Sequence, residues 1–160
     1  MRFSHLVEIN DPLNPLIDPL TREQLWRGLV LRMEMPRRFV PWLDACDISK
    51  REPNSMERSL RYGSTVIRDQ VTLNKPDSVH VHVPAQGDIP QADLVMSIEE
   101  PQDGALFVRF EYDDHRGEAI DAEQALEHDF RRSAYKESDI DTIRTIREMA
   151  ADGLLDAPLM

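Results

Sequence analysis

The stretch Glu118–Leu155, EAIDAEQALEHDFRRSAYKESDIDTIRTIREMAADGLL, decides how this chain folds. Ile140, Ile143, Ile146 and Ala150 recur at threes and fours, with Phe130, Ala134 and Tyr135 a few turns earlier. That spacing draws an apolar stripe along one side of a helix, and Arg131, Lys136, Asp141, Arg144, Glu148 and Asp152 fill the other sides. Gly153 supplies a C-terminal stop with Pro158 beyond it, while Ser138 followed by Asp141 allows a second start and a kink near Glu137. At about 1.5 Å per residue, a helix of roughly 30 residues is about 45 Å long. A rod that is apolar on one face needs a broad apolar partner.

The preceding segment supplies it. Between Cys46 and Asp113 no helical period occurs. Pro53-Asn54, Gly63-Ser64, Lys75-Pro76-Asp77, Gln86-Gly87-Asp88 and Gln102-Asp103-Gly104 break the chain into predicted strands at 46–52, 55–62, 65–73, 79–83, 92–99 and 105–113. Short links make these an antiparallel meander. Phe3, His5, Val7 and Ile9 alternate with more polar neighbours and give a first strand, followed by a loop holding Pro12, Pro15 and Pro19. Thr21-Arg22-Glu23-Gln24 is a capping box that starts a helix with Leu25, Trp26, Leu29, Val30 and Met33 on one face. Pro36 ends it. Phe39, Val40, Trp42 and Leu43 suggest a second short helix, limited by Pro41.

Two hairpins can be registered from their turns. Gly63-Ser64 suits a two-residue type II′ turn, which sets Tyr62 against Thr65, Leu60 against Ile67, Arg58 against Asp69 and Met56 against Val71 on one apolar face. Gln102-Asp103-Gly104 suits a three-residue loop that sets Ile98 against Val108 and Met96 against Phe110. The result is α+β: a seven-stranded curved antiparallel sheet that grips the C-terminal helix, with two short helices between strands 1 and 2.

With 160 residues and 41% apolar content, the chain suits one domain spanning 1–160. A formal net charge of −11 opposes nucleic acid and anionic membranes as main partners. The single cysteine, Cys46, excludes an internal disulfide and fits a reducing cytoplasm. No 18-residue apolar run predicts stable membrane insertion. No Gly-rich phosphate loop, G-x-S-x-G elbow, H-E-x-x-H helix or Cys-x-x-Cys pair is present, so no cofactor and no metal are expected. His80 and His82 form an i, i+2 pair with no third ligand at useful spacing and are read as outward-facing surface residues.

Four segments carry a resemblance to a known family: HLVEINDP at 5–12, LTREQLWRGLVLR at 20–32, PRRFVPWLDAC at 36–46 and RRSAYKESDIDTIRTIREM at 131–149. Together they resemble the AtaL-like family of unknown function. That family is similar to the SRPBCC superfamily, which includes START lipid-binding domains, birch-pollen-type allergens and polyketide cyclases. The resemblance implies a helix-grip fold and a small hydrophobic or amphipathic ligand held between sheet and helix. It matches no catalytic signature residue by residue. Two alternatives stay open: a cyclase or dehydratase using the same cavity, and a protein-interaction module whose cavity is filled by side chains.

The expected cavity walls are Val7, Leu60, Tyr62, Ile67, Val71, Met96, Phe110, Tyr112, Ile143 and Ile146, with Arg58, Asp69, His5 and Tyr135 as polar contacts. Arg58 and Asp69 face each other on the inward side, where a charged pair is costly unless hydrogen-bonded. They either orient a polar ligand group, form a structural salt bridge near the cavity mouth, or turn outward on a bulge. On the first reading, Arg58→Leu is expected to remove function and leave the fold intact. His5 is a core histidine or a general base. The three tyrosines can present hydroxyls to the cavity, and Trp26 and Trp42 are core anchors or a cap over its end.

Overall fold

Hairpin turns build the sheet strand by strand, and the N-terminal strand then joins its far edge. The computed structural model describes residues 1–156. Its elements are β1 (Arg2–Glu8), α1 (Arg22–Glu34), β2 (Ala45–Glu52), β3 (Ser55–Tyr62), β4 (Thr65–Asn74), β5 (Ser78–Val83), β6 (Ala92–Gln102), β7 (Ala105–Asp113) and α2 (Ala122–Ala151). The seven strands lie in the order β1-β7-β6-β5-β4-β3-β2, so β2 to β7 form a meander and β1 returns to pair with β7. In that last pairing His5 faces Phe110 and Val7 faces Val108.

The β3–β4 register is the one the turn predicts, with Arg58 opposite Asp69 and Tyr62 opposite Thr65. Gly63 has φ of 61°, the left-handed value that the first central position of this turn needs. In the β6–β7 hairpin Met96 faces Phe110 and Ile98 faces Val108, again as expected. Its loop is tighter than the expected three residues. Gln102 pairs with Ala105, leaving Asp103-Gly104 as the turn, and the register shifts between Glu99 and Gln102. Pro101, which has no N–H to give the ladder, sits inside that irregularity.

The capping box forms as read: Thr21 Oγ1 accepts the Gln24 N–H at 3.0 Å, and Gln24 Oε1 accepts the Thr21 N–H at 2.9 Å. The second short helix is shorter and begins earlier than expected. Pro36–Arg38 make one 3-10 turn, and Pro41 cannot donate the hydrogen bond that a continuing helix needs. Trp42 is consequently 70% exposed and no core anchor, whereas Trp26 is buried.

The 30 residues of α2 run from an N-cap at Asp121, whose Oδ1 accepts the Gln124 N–H at 2.8 Å, through Glu137 without a break. Gly153 follows with φ of 77°; Pro158 lies outside the described residues. The buried face is rotated from the expected one. Asp139, Thr142, Ile143, Ile146 and Met149 point in, while Ile140 is 49% exposed and Phe130 69% exposed. Ala134 is exposed too. No described helix is long and apolar enough to cross a membrane.

The core joins Leu25, Trp26, Leu29 and Met33 of α1 and Ile143, Ile146 and Met149 of α2 to Met56, Val71, Val79, Met96, Val108 and Phe110 of the sheet. This fills one end of the grip. At the other end, nearest the β3–β4 turn, Phe3, His5, Tyr62, Ile67, Leu94, Tyr112 and Tyr135 are only half-buried. The two ends differ in closure, and the polar inward residues gather toward the looser one.

Candidate functional site

Asp139 lies on the packed face of α2 at 0% exposure. Its Oδ1 accepts the Tyr112 hydroxyl at 2.6 Å, and its Oδ2 lies 2.6 Å from His5 Nε2. Pairing of β1 with β7 sets His5 beside Tyr112: Phe3 faces Tyr112, and His5, two residues on, points the same way. Tyr135, one helical turn before Asp139, stacks on Tyr112 with ring centroids 3.9 Å apart and planes at 6°. Phe3 stacks on His5 at 5.3 Å. One carboxylate, one imidazole and two phenol rings therefore meet where β1, β7 and α2 converge.

Burial pushes the Asp139 carboxyl above its ordinary value, opposed by the Tyr112 and His5 hydrogen bonds and by the positive charge of Arg32. Burial, followed by the adjacent Asp139, drives the Tyr112 hydroxyl far upward. Tyr112 is thus a neutral donor and Asp139 the acceptor that orients it. The pairing of a carboxylate with an imidazole is the arrangement that general-base chemistry uses, because the carboxylate fixes the ring and stabilises its protonated form.

The sequence singled out His5, Tyr112 and Tyr135 separately; it missed Asp139, which joins them. The available signal is helical: Tyr135, Asp139, Thr142, Ile143 and Ile146 keep the three-four spacing as well as the stripe through Ile140 does. Arg32 on α1 was also missed. It is half-buried, and its Nε donates to Thr142 Oγ1 at 3.2 Å.

Arg58 and Asp69 do face inward and are buried, Arg58 at 5% exposure. Arg58 Nε donates to Asp69 Oδ1 at 2.9 Å, Nη2 to Oδ2 at 2.6 Å, and Nη1 to the Met33 carbonyl at 2.9 Å. All three nitrogens have protein acceptors, and the pair ties β3 and β4 to the last turn of α1. Neither residue turns outward. Cys46, half-buried nearby, has its thiol pushed up by burial, which keeps it in the unreactive protonated form.

Of the remaining expected wall residues, Leu60, Val71, Met96, Phe110, Ile143 and Ile146 are buried, and Val7 packs against the same core. Phe110 and Met96, both at 0% exposure, are part of the packed core. Tyr62, Ile67, Tyr112 and Tyr135 stay accessible at the looser end. Two sizeable hollows are present. One of about 500 Å³ is lined by Leu16–Leu20, Gln24, Arg147, Ala150 and Ala151. Another, of about 570 Å³, is lined by Ser4, His80, Asp93, Val95 and Glu111 on the outer face of the sheet together with Phe3 and Tyr112.

His80 and His82 face outward as expected, but they are not partnerless. His80 Nε2 lies 2.7 Å and His82 Nδ1 2.9 Å from Asp93 Oδ1, and His115 Nε2 lies 2.5 Å from Asp93 Oδ2. Burial pushes Asp93 up, but the hydrogen bonds from His115, His82 and His80 outweigh it and bring the carboxyl down to about 2. His115 holds φ of 59°, with its backbone N–H on Asp113 Oδ1 at 2.9 Å. Among the described residues, no three or more His, Cys, Asp and Glu side chains are arranged to hold a metal ion.

An antiparallel sheet closed on a long terminal helix, with its polar inward groups gathered at one end, defines a helix-grip protein. Within that class the chain belongs to the family of acetylaranotin biosynthesis cluster protein L (AtaL), whose model matches residues 7–153. No curated protein matches the sequence. Among solved structures, TTHA0849 from Thermus thermophilus is similar at 11% identity and a TM-score of 0.62, covering 96% of this chain and 99% of that one. Ara h 8.0201 is similar at 9% identity and a TM-score of 0.58, covering 95% and 98%. The Zhui aromatase/cyclase from Streptomyces sp. R1128 is similar at 10% identity and a TM-score of 0.59, covering 94% and 93%. At these identities the likeness is one of fold.

Proposed function

We propose that this chain binds a small, largely apolar molecule at the looser end of the grip, against Tyr62, Ile67, Tyr112 and Tyr135, with the His5–Asp139–Tyr112 trio beneath it. The observation that carries this reading is Asp139: a carboxylate at 0% exposure on the packed face of α2, held by two side chains at 2.6 Å. Burying a charge opposes folding, so a chain that carries one beside accessible aromatic rings has a use for it. The Arg58–Asp69 pair is a strut in this scheme, with its donors engaged by protein. The net charge of −11 and the lone thiol support a cytoplasmic protein without nucleic acid as partner.

A second reading, an enzyme of cyclase or dehydratase type, is favoured by one feature. His5 gives Nε2 to Asp139, while its Nδ1 has no protein partner among the described residues and is not fully buried. A carbon acid bound there would give its proton to Nδ1, and Asp139 would stabilise the imidazolium formed.

Native mass spectrometry of freshly purified protein, with titration of 8-anilinonaphthalene-1-sulfonate, tests binding. The expected result is a co-purifying mass or saturable dye binding that weakens in His5→Ala and Tyr135→Ala while the thermal melt persists. Neither mass nor saturable binding would leave the filled-interior, protein-interaction reading standing instead.

A further inference from the structure

Arg32 occupies a position where the pattern of α1 calls for an apolar residue. Leu25, Gly28, Leu29 and Met33 face the core, and Arg32 follows Leu25 by seven and Leu29 by three. The guanidinium is half-buried, yet it makes one side-chain hydrogen bond, Nε to Thr142 Oγ1 at 3.2 Å. Among the described residues neither Nη has a protein acceptor, and no carboxylate forms a salt bridge with the group. Arg58 differs in that each of its nitrogens is engaged. An arginine carries five N–H donors in a planar fork, and a half-buried one with its terminal pair unused has room for an acceptor from outside the chain.

We propose that Arg32 anchors an anionic oxygen, so that the molecule bound at the looser end is an amphipathic acid: an apolar body bearing a carboxylate or an enolate. This rests on the ligand-binding reading above. Thr142 fixes the fork by holding Nε, and Thr142 is itself fixed through its hydroxyl bond to the Ser138 carbonyl at 3.1 Å. Asp139, one turn earlier on α2, has its two oxygens on Tyr112 and His5 and forms no salt bridge with Arg32. Thr142 follows Asp139 by three on the packed face of α2, so its bond to Arg32 sets the guanidinium one turn from the His5–Asp139–Tyr112 trio. A fork of this kind takes a carboxylate through two parallel, charge-assisted hydrogen bonds, which a neutral hydroxyl cannot match.

The experiment compares decanoate with decanol, two probes of equal apolar length, by displacement of 8-anilinonaphthalene-1-sulfonate from the full chain. The wild type is expected to bind decanoate about tenfold more tightly than decanol, as one charge-assisted contact implies. Arg32→Leu should erase that preference by weakening decanoate far more than decanol, and Arg32→Lys should restore part of it. Added salt should weaken decanoate and leave decanol alone, a measurement that needs no variant. Equal affinity of the wild type for both probes, or a preference that survives in Arg32→Leu, would overturn the anchor while leaving ligand binding intact. If the wild type takes neither probe and no dye, the ligand-binding reading itself falls.

Discussion

Asp139 and Asp93 are both hydrogen-bonded carboxylates, yet they respond to pH with opposite sign. For Asp139, burial raises the carboxyl in the folded chain. Its contribution to stability is therefore fully present below the unfolded value and is lost as pH rises through the folded one. Asp139→Asn should be least harmful at alkaline pH: the gap in Tm between variant and wild type narrows from pH 4.5 to pH 8. For Asp93, the folded value of about 2 lies below the ordinary 3.8, so its contribution is present above 3.8 and is lost as pH falls toward 2. Asp93→Asn should flatten that acid limb, read as a smaller loss of Tm between pH 4 and pH 2. Only part of this chemistry was legible. Arg58 and Asp69 could be placed because a two-residue turn fixes which side chains face each other. Asp139 could not, because a helical stripe admits a rotation by one residue and Ile140 is the more hydrophobic choice. His115 reaches Asp93 from beyond β7, a proximity that strand alternation does not encode.

Between elements, α1 packs tightly on α2 at Gly28. A Cβ added at Gly28 would lie 2.6 Å from Ile146 Cγ2 and 2.8 Å from Cγ1, in a fully buried place. Gly28→Ala should therefore lower stability by about 1–3 kcal/mol, although alanine is the better helix former. The Gly28→Ala/Ile146→Ala double variant should lose less than the sum of the singles in a denaturant melt, since each relieves the other. The strut from Arg58 to Asp69 and the Met33 carbonyl gives another check. The sequence alone suggests that Arg58→Leu leaves the fold intact; the buried geometry says that it strands Asp69, at about 3–5 kcal/mol. Replacing both residues by leucine should recover most of that loss. Strand limits were readable at this level because Gly, Pro and Asn mark the turns. The second short helix was expected too far along the chain because the apolar residues from Phe39 to Leu43 outweighed the missing N–H of Pro41.

Across the whole molecule, the grip is packed at one end and accessible at the other, and exchange of backbone hydrogens should report the difference. Amides of Val79, Val108 and Phe110, beneath α1 and the second half of α2, should be the slowest, while those of the 11–20 loop exchange early. Binding at the looser end should slow amides near Tyr62, Ile67 and Tyr112 and leave the packed end unchanged. The architecture was legible from element order and periodicity. The uneven filling was not, because the pattern of apolar residues says which side chains face inward but not how far Phe110 and Met96 reach once there.

The pairing of β1 with β7 also bears on how the chain is made. The ribosome delivers residues 2–8 long before their partner strand, which does not begin until Ala105. For the whole of that interval the nascent segment offers open backbone donors and acceptors to any passing edge, which makes it the natural point of chaperone contact and of mispairing. Once β7 is delivered, the strand made first becomes the seam that completes the sheet.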